Sequence, residues 1–168
     1  SFSRAQLSMT TIVVVRKADT AVIAADTLTT FGTTRLAPAY DRKPHKIVRY
    51  RESFIGVAGS AAHQLVLENL LERNPALDLH GKGAIYETFR KLHPILKDEA
   101  FLNPREEEDD PYESSQMTVM LVNPSGIFAV YSMREVFEFD RFWAIGSGRD
   151  FALGAMYTIY NRARGAGA

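Results

Sequence analysis

The sequence predicts an α+β domain in which two sheets stack on one another and helices cover the outside. Three observations carry this expectation. β-branched runs open the chain, two helical segments occupy its middle, and strand-like runs resume beyond them. At 168 residues with 46% apolar content, the chain has the length of one domain and enough apolar material to bury a core.

Residues 1–8 are polar, belong to no periodic segment and precede Met9, a possible natural start. They read as an expression remnant or a leader, with one domain over 9–168. Thr10 to Val15 and Thr20 to Ala25 are two strands joined at the polar bend 16–19, the pattern of a β-hairpin. Antiparallel pairing sets the start of the first strand beside the end of the second, which brings Thr10 next to Asp26. From Thr27 to Lys46, threonines, Gly32, Pro38 and Pro44 mark a loop-rich stretch with room for an irregular turn or short strand. Residues 46–50 and 53–59 form a second strand pair. A helix follows from about Ala61 to Arg73, with Leu65, Leu67, Leu70 and Leu71 on a broad apolar stripe, and Asn74-Pro75 stops it. A second helix, from about Lys82 to Ala100, carries Ile85, Phe89, Leu92 and Leu96 at helical spacing, with a kink expected at Pro94. Residues 103–116 hold five consecutive acids between prolines and read as an exposed, mobile loop. Strands then resume at 117–122, 127–131, 135–139 and 142–145. Gly146-Ser147-Gly148 opens a third helix, from Asp150 to about Arg162, whose wide apolar face predicts interior packing.

Composition excludes several functions. Lysine plus arginine balances aspartate plus glutamate at 20 each, which offers no electrostatic footprint for nucleic acid or an anionic membrane. With no cysteine there is no disulfide, thiolate metal site or cysteine nucleophile. No apolar run has the length of a membrane span and no secretory-signal pattern opens the sequence, so a cytoplasmic protein is expected. GSGRDFALG lacks the third glycine of a dinucleotide turn and any Gly-Lys-Ser/Thr, which argues against nucleotide binding. The four histidines form no metal-binding pair, and the acidic run lacks the alternation of a calcium loop.

A threonine at a chain start beside an acid suggests one chemistry. Its own α-amine, with an unperturbed pKa of roughly 7.7 to 8, serves as base for its hydroxyl. Each residue also has a plain structural role. Thr10 is a strand opener, Asp26 a turn residue, Lys46 a surface lysine, and Ser60 and Ser147 are helix caps. A serine hydrolase using Ser60 or Ser147 with His63 lacks any ordered spacing of acid and base.

Five segments in order, TTIVVV, AVIAADTLTTFG, HKIVRY, GVAGSAA and AIGSGRDFALG, resemble the proteasome β-subunits. Within them the sequence is most similar to the bacterial peptidase HslV and the betaproteobacterial proteasome homologue. The resemblance implies an N-terminal-nucleophile (Ntn) hydrolase of αββα architecture, a threonine-type endopeptidase acting on unfolded or small polypeptides. It also implies a homo-oligomeric double ring that encloses the sites, an ATPase or other activator of open identity, and no cofactor or metal in the chemistry. Residue by residue, Thr10 matches the nucleophile, Asp26 and Lys46 its charged partners, Gly59 the oxyanion-hole glycine and Ser147 the serine near the threonine amine. Thr30 and Ala61 match positions whose main chain pairs with substrate, and Val57 matches the floor of the first specificity pocket. The segment before Lys46 is longer than in the relatives, which makes Lys43 a competing assignment. Lys46 is preferred because it begins an apolar strand, whereas Lys43 precedes a proline. The family's aspartate and serine beyond the third helix have no counterpart in the sequence. A catalytically silent proteasome-like chamber or scaffold is the alternative function.

Overall fold

A computed structural model describes residues 10–167, and the reading of residues 1–8 lies outside them. The opening hairpin is β1 (Thr11–Lys17) and β2 (Thr20–Ala25), paired Ile12 to Ala25 through Lys17 to Thr20. Its two-residue turn places Ala18 at φ 51°, the left-handed conformation that such hairpin turns require. The loop-rich stretch contains a small separate hairpin, β3 (Thr29–Phe31) and β4 (Thr34–Leu36), then a 3₁₀ turn at Pro38–Tyr40. β5 (Ile47–Tyr50) and β6 (Ser53–Ala58) lead into α1 (Ala61–Arg73) and α2 (Gly81–Asp98). The chain returns through β7 (Thr118–Asn123), β8 (Gly126–Val130), β9 (Val136–Phe139) and β10 (Phe142–Gly146), and ends its described elements with α3 (Arg149–Ile159).

The strands form an antiparallel three-stranded sheet, β10-β1-β2, and an antiparallel five-stranded sheet, β5-β6-β7-β8-β9. Alternation along the strands divides the core in two. Ile12, Val14 and Ile145 from the smaller sheet meet Met120, Val122, Ile127 and Ala129 from the larger, which makes the layer between the sheets. Residues pointing the other way, among them Ile55, Val119, Leu121 and Phe128, meet Leu67, Leu70 and Leu71 of α1 and Ile85, Phe89 and Leu92 of α2. The sheets therefore stack with helices outside, the Ntn-hydrolase sandwich.

Two expectations need correction. α3 is not interior: it packs on the outer side of β10 and β1, and none of its residues is fully buried. Phe151 and Tyr157 are 87% and 82% exposed. A helix apolar all round states only that it has more than one apolar neighbour, and a single chain supplies one of them. The acidic loop is likewise not free along its length. Its last residues dock against α2 and the β8–β9 turn, with Ser114 and Ser115 buried. Lys97 Nζ and His93 Nε2 donate to Glu113 at 2.6 and 3.0 Å, Arg134 donates to the Glu113 carbonyl at 2.6 Å, and the Ser115 amide donates to the Ser132 carbonyl at 2.7 Å. Hydrogen bonds from Lys97 and then His93 hold the Glu113 carboxyl below the usual carboxylate range. A depressed carboxylate stabilises the fold above its unfolded pKa of about 4.3, and that contribution is lost as pH falls through the lower folded value. Excision of residues 107–109 is expected to leave the melting temperature within about 2 °C, because short changes in loop length alter closure entropy little. Glu113→Gln is expected to shift it more, and only at a pH where Glu113 is ionised. Thermal unfolding at pH 7 and pH 3 checks both.

Candidate active site

The site gathers where the start of β1, the end of β2 and the start of β5 meet. β1 and β2 are held in register to their ends: the Asp26 amide donates to the Thr11 carbonyl at 3.1 Å, and the Thr11 amide donates to Asp26 Oδ1 at 2.7 Å. The second carboxylate oxygen accepts from the Leu28 amide at 3.0 Å, a local turn closed by the side chain two residues back. Asp26 is thus oriented before any cation arrives. Lys46, one residue before β5, supplies the cation. Its Nζ lies 2.8 Å from Asp26 Oδ2, 2.7 Å from the Leu28 carbonyl and 3.3 Å from Thr10 Oγ1. The lysine side chain is 11% exposed and the aspartate 32%, so the pair sits in a partly dry setting where its attraction exceeds that of a surface pair. Thr10 itself is 5% exposed.

Lys43 takes no part in this cluster. It is exposed, and its amide closes a turn on Asp41 Oδ1 at 2.9 Å.

The turn between β10 and α3 forms another wall. β10 pairs with β1 along its length, Thr11 opposite Gly146. Gly146 has φ +94°, and a Cβ there would lie 1.9 Å from the Thr10 carbonyl oxygen. A Cβ on Gly148 would lie 2.1 Å from Thr11 Oγ1. Only glycine lets this turn approach the first two threonines so closely. Gly146→Ala is therefore expected to destabilise the fold by about 3 kcal/mol or more, since both backbone conformation and space oppose it. Gly154→Ala, where a Cβ on α3 meets nothing within 4 Å, is expected to stabilise by about 0.5–1 kcal/mol. Denaturant midpoints of the two variants check the contrast.

The remaining expected residues lie around this centre at different depths. Ser147 is exposed between the two close-packed glycines. Gly59 directly follows β6, the strand that pairs with β5, and Ser60 caps α1, whose first residue, Ala61, is exposed. Thr30 is half-buried in the β3–β4 hairpin. Val57 is 4% exposed within the cluster beneath α1 and α2. Lys46 thus touches both Thr10 and Asp26, and the others are placed by the elements that surround them. The Leu28 main chain, which both orients Asp26 and accepts from Lys46, is the member that sequence reading missed. Asp26-Thr27-Leu28 is a sequence in which an aspartate turn was legible.

Chemically, the cluster is a partly buried hydroxyl facing a cation that a carboxylate holds in place. Such a cation favours negative charge developing on Thr10 Oγ1 and disfavours a proton on any neighbouring amine.

Comparisons with known proteins bear on this geometry. The proteasome subunit family model matches residues 8–164. The Thiobacillus denitrificans protein BPH is 37% identical; its structure superposes with a TM-score of 0.86, covering 93% of this chain and 82% of that one. BPH in complex with epoxomicin superposes with a TM-score of 0.82 at 37% identity, covering 89% and 79%. The eukaryotic HslV from Trypanosoma brucei shares the fold with a TM-score of 0.57 at 23% identity, covering 89% and 78%. No curated protein matches.

Proposed function

Because this chain belongs to the proteasome subunit family, we propose that it is a threonine-type endopeptidase acting on unfolded or small polypeptides inside a homo-oligomeric double ring. The observation that carries the reading is the single ammonium group of Lys46 in contact with both Asp26 and Thr10 Oγ1.

In the proposed reaction Thr10 Oγ attacks the substrate carbonyl while the Thr10 α-amine takes the hydroxyl proton, directly or through one water. A C–O bond forms, the peptide C–N bond breaks, and the leaving amine receives that proton. Water then resolves the acyl-threonine by the same base. Lys46 holds the amine in its neutral form by like-charge repulsion and stabilises the oxygen it faces, with Asp26 holding the lysine in position. The Gly59 amide donates to the oxyanion, Ser147 assists at the amine, and the Thr30 and Ala61 main chains pair with an extended substrate. Val57 then underlies the pocket for the first side chain. No cofactor enters.

In the sequence Thr10 follows Met9, so its nitrogen is an amide whose lone pair is delocalised into a carbonyl. The reactive form we propose begins at Thr10, and any form extended before it is inactive. An ATPase or other activator feeds the ring, and the exposed apolar side of α3 and Leu65 on α1 are surfaces available to neighbouring subunits. Among the described residues no helix is long and apolar enough to cross a membrane. The proposed site of action is the cytoplasm.

The test is covalent labelling of the form beginning at Thr10. A β-lactone, or epoxomicin, is expected to add to Thr10, located by peptide mass mapping. A particle that forms rings yet is labelled by neither is the silent scaffold instead.

A further inference from the structure

β6 carries a glycine in its interior, on the face that meets the other sheet. Gly56 is buried and pairs with Ile47 of β5 on one side and Met120 of β7 on the other. Its φ is not positive, so the backbone there is one that any residue adopts, and the reason for glycine lies in space. Glycine weakens a strand interior and often marks a place where something approaches closely. Here that is Ile12. A Cβ on Gly56 would lie 3.0 Å from both Cδ1 and Cγ2 of Ile12, whereas carbons in contact prefer about 3.5–4.0 Å. Ile12 is fully buried in one cluster with Val14, Met120, Ile127 and Ile145, so turning its side chain away brings it against other core groups.

This contact joins the two halves of the proposed site. Ile12 lies two residues beyond Thr10, on the strand that carries the nucleophile. Gly56 lies three residues before Gly59, the proposed oxyanion donor, and opposite Ile47, the neighbour of Lys46. Thr10 therefore travels with one sheet, and Gly59 and the Lys46 main chain travel with the other. The lysine crosses between them on a flexible stem, its Nζ 2.8 Å from Asp26 Oδ2 and 3.3 Å from Thr10 Oγ1. Such a side chain follows a small shift of its partners. A backbone amide does not.

We propose that Gly56 is a positioning residue: lacking a Cβ, it lets Ile12 seat directly on β6, and that seat sets the distance between Thr10 and the Gly59 amide. The inference rests on the peptidase reading above. A methyl group at residue 56 forces the two strands apart by about 0.5–1 Å, the difference between the clash and an ordinary contact. Thr10 then recedes from a donor that stays with β6, and misplacement on the scale of about 1 Å costs a reaction about 10²-fold. Val57 and Ala61, proposed to meet the substrate, stay with β6 and α1. Binding is kept while attack slows.

The experiment measures kcat and KM of the form beginning at Thr10, with Gly56→Ala introduced into three backgrounds: wild type, Ile12→Val and Ile12→Ala. Ile12→Val removes Cδ1 and keeps Cγ2, and Ile12→Ala removes both. In the wild-type background Gly56→Ala is expected to lower kcat by about 10- to 100-fold with KM within about threefold, and to slow β-lactone labelling of Thr10 to the same extent. Each loss is referred to its own background, so the effect of trimming Ile12 by itself cancels. The loss is expected to shrink in the Ile12→Val background and to stay within about twofold in the Ile12→Ala background, where the colliding atoms are gone. A strand merely weakened at Gly56 loses the same in every background, and that outcome overturns the positioning role. So does an unchanged kcat in the wild-type background, or a loss carried by KM alone. Denaturant midpoints show which forms are folded. If Gly56→Ala does not fold beside Ile12, a larger loss in the Ile12→Val than in the Ile12→Ala background supports the inference and equal losses overturn it. No turnover and no labelling in the wild type overturns the peptidase reading and this inference with it, whereas an active wild type with no dependence on the residue 12 background overturns this inference alone.

Discussion

Thr10→Ala in the form that begins at residue 10 is expected to lower peptide turnover by roughly 10⁴-fold or more, the scale on which removal of a nucleophile acts when its base acts only through it. The chain with residues 1–9 attached is expected to be equally poor, although its hydroxyl is intact and 5% exposed Thr10 keeps its contact with Lys46. The two failures have different causes. Alanine removes the atom that attacks. The extension removes the base, because an amide nitrogen has no lone pair to offer a proton. A protease cut that exposes Thr10 should therefore rescue the extended form and leave the alanine variant unchanged. Initial rates on an unfolded polypeptide, measured before and after such a cut, check the prediction. Equal rates in all forms would remove Thr10 from the mechanism.

Lys46→Ala is expected to reduce turnover by about 10² to 10³-fold, the effect of losing one preorganised donor at a reacting oxygen. Lys43→Ala is expected to stay within about twofold of wild type. The structural reason is the segment between the small hairpin and β5, which carries both lysines but directs only the second toward the carboxylate. Lys46→Ala also leaves Asp26 with a charge that lacks its cation in a partly dry setting. The remaining amide donors, Thr11 and Leu28, offset part of that loss, so a stability cost of about 1–3 kcal/mol is expected. Turnover and denaturant midpoint for each variant separate the two lysines. A larger loss in Lys43→Ala than in Lys46→Ala would reverse their roles.

How much of this was legible before the structure depends on the kind of residue involved. The opening hairpin was plain because β-branched runs on both sides of a polar bend have few alternatives, and its register sets Asp26 against Thr11, one residue along from the expected partner Thr10. The limits of α1 were also plain, since Ser60 and Asn74-Pro75 mark both ends. Lys46 was the preferred one of two lysines because it opens an apolar strand, and the particular atoms it meets became definite only with the backbone in place. The docked end of the acidic loop was not legible. Its anchors, His93, Lys97 and Arg134, lie on α2 and on the β8–β9 turn, and each reads alone as an ordinary surface residue. The surroundings of α3 were misread for a different reason: hydrophobic composition measures how much surface wants covering, not which molecule covers it. His63 was noticed only as a candidate base, and its bond to the Ser60 amide depends on a rotamer that no spacing specifies.

The pairing of β1 with β10 has a consequence for how the protein is made. β1 leaves the ribosome well before β10, with β2 to β9 and two helices between them, and the three-stranded sheet is closed only when Thr11 finds Gly146. Closure of so long a loop is entropically slow, and the contact between Gly146 and the Thr10 carbonyl cannot form in a nascent chain that has not reached β10. The hairpin with Asp26 is able to form early, because its contacts are local. The wall beside the threonine comes last. A partly synthesised chain therefore carries the hydroxyl and the acid without the enclosure that arranges them, and completion of the site waits on completion of the domain.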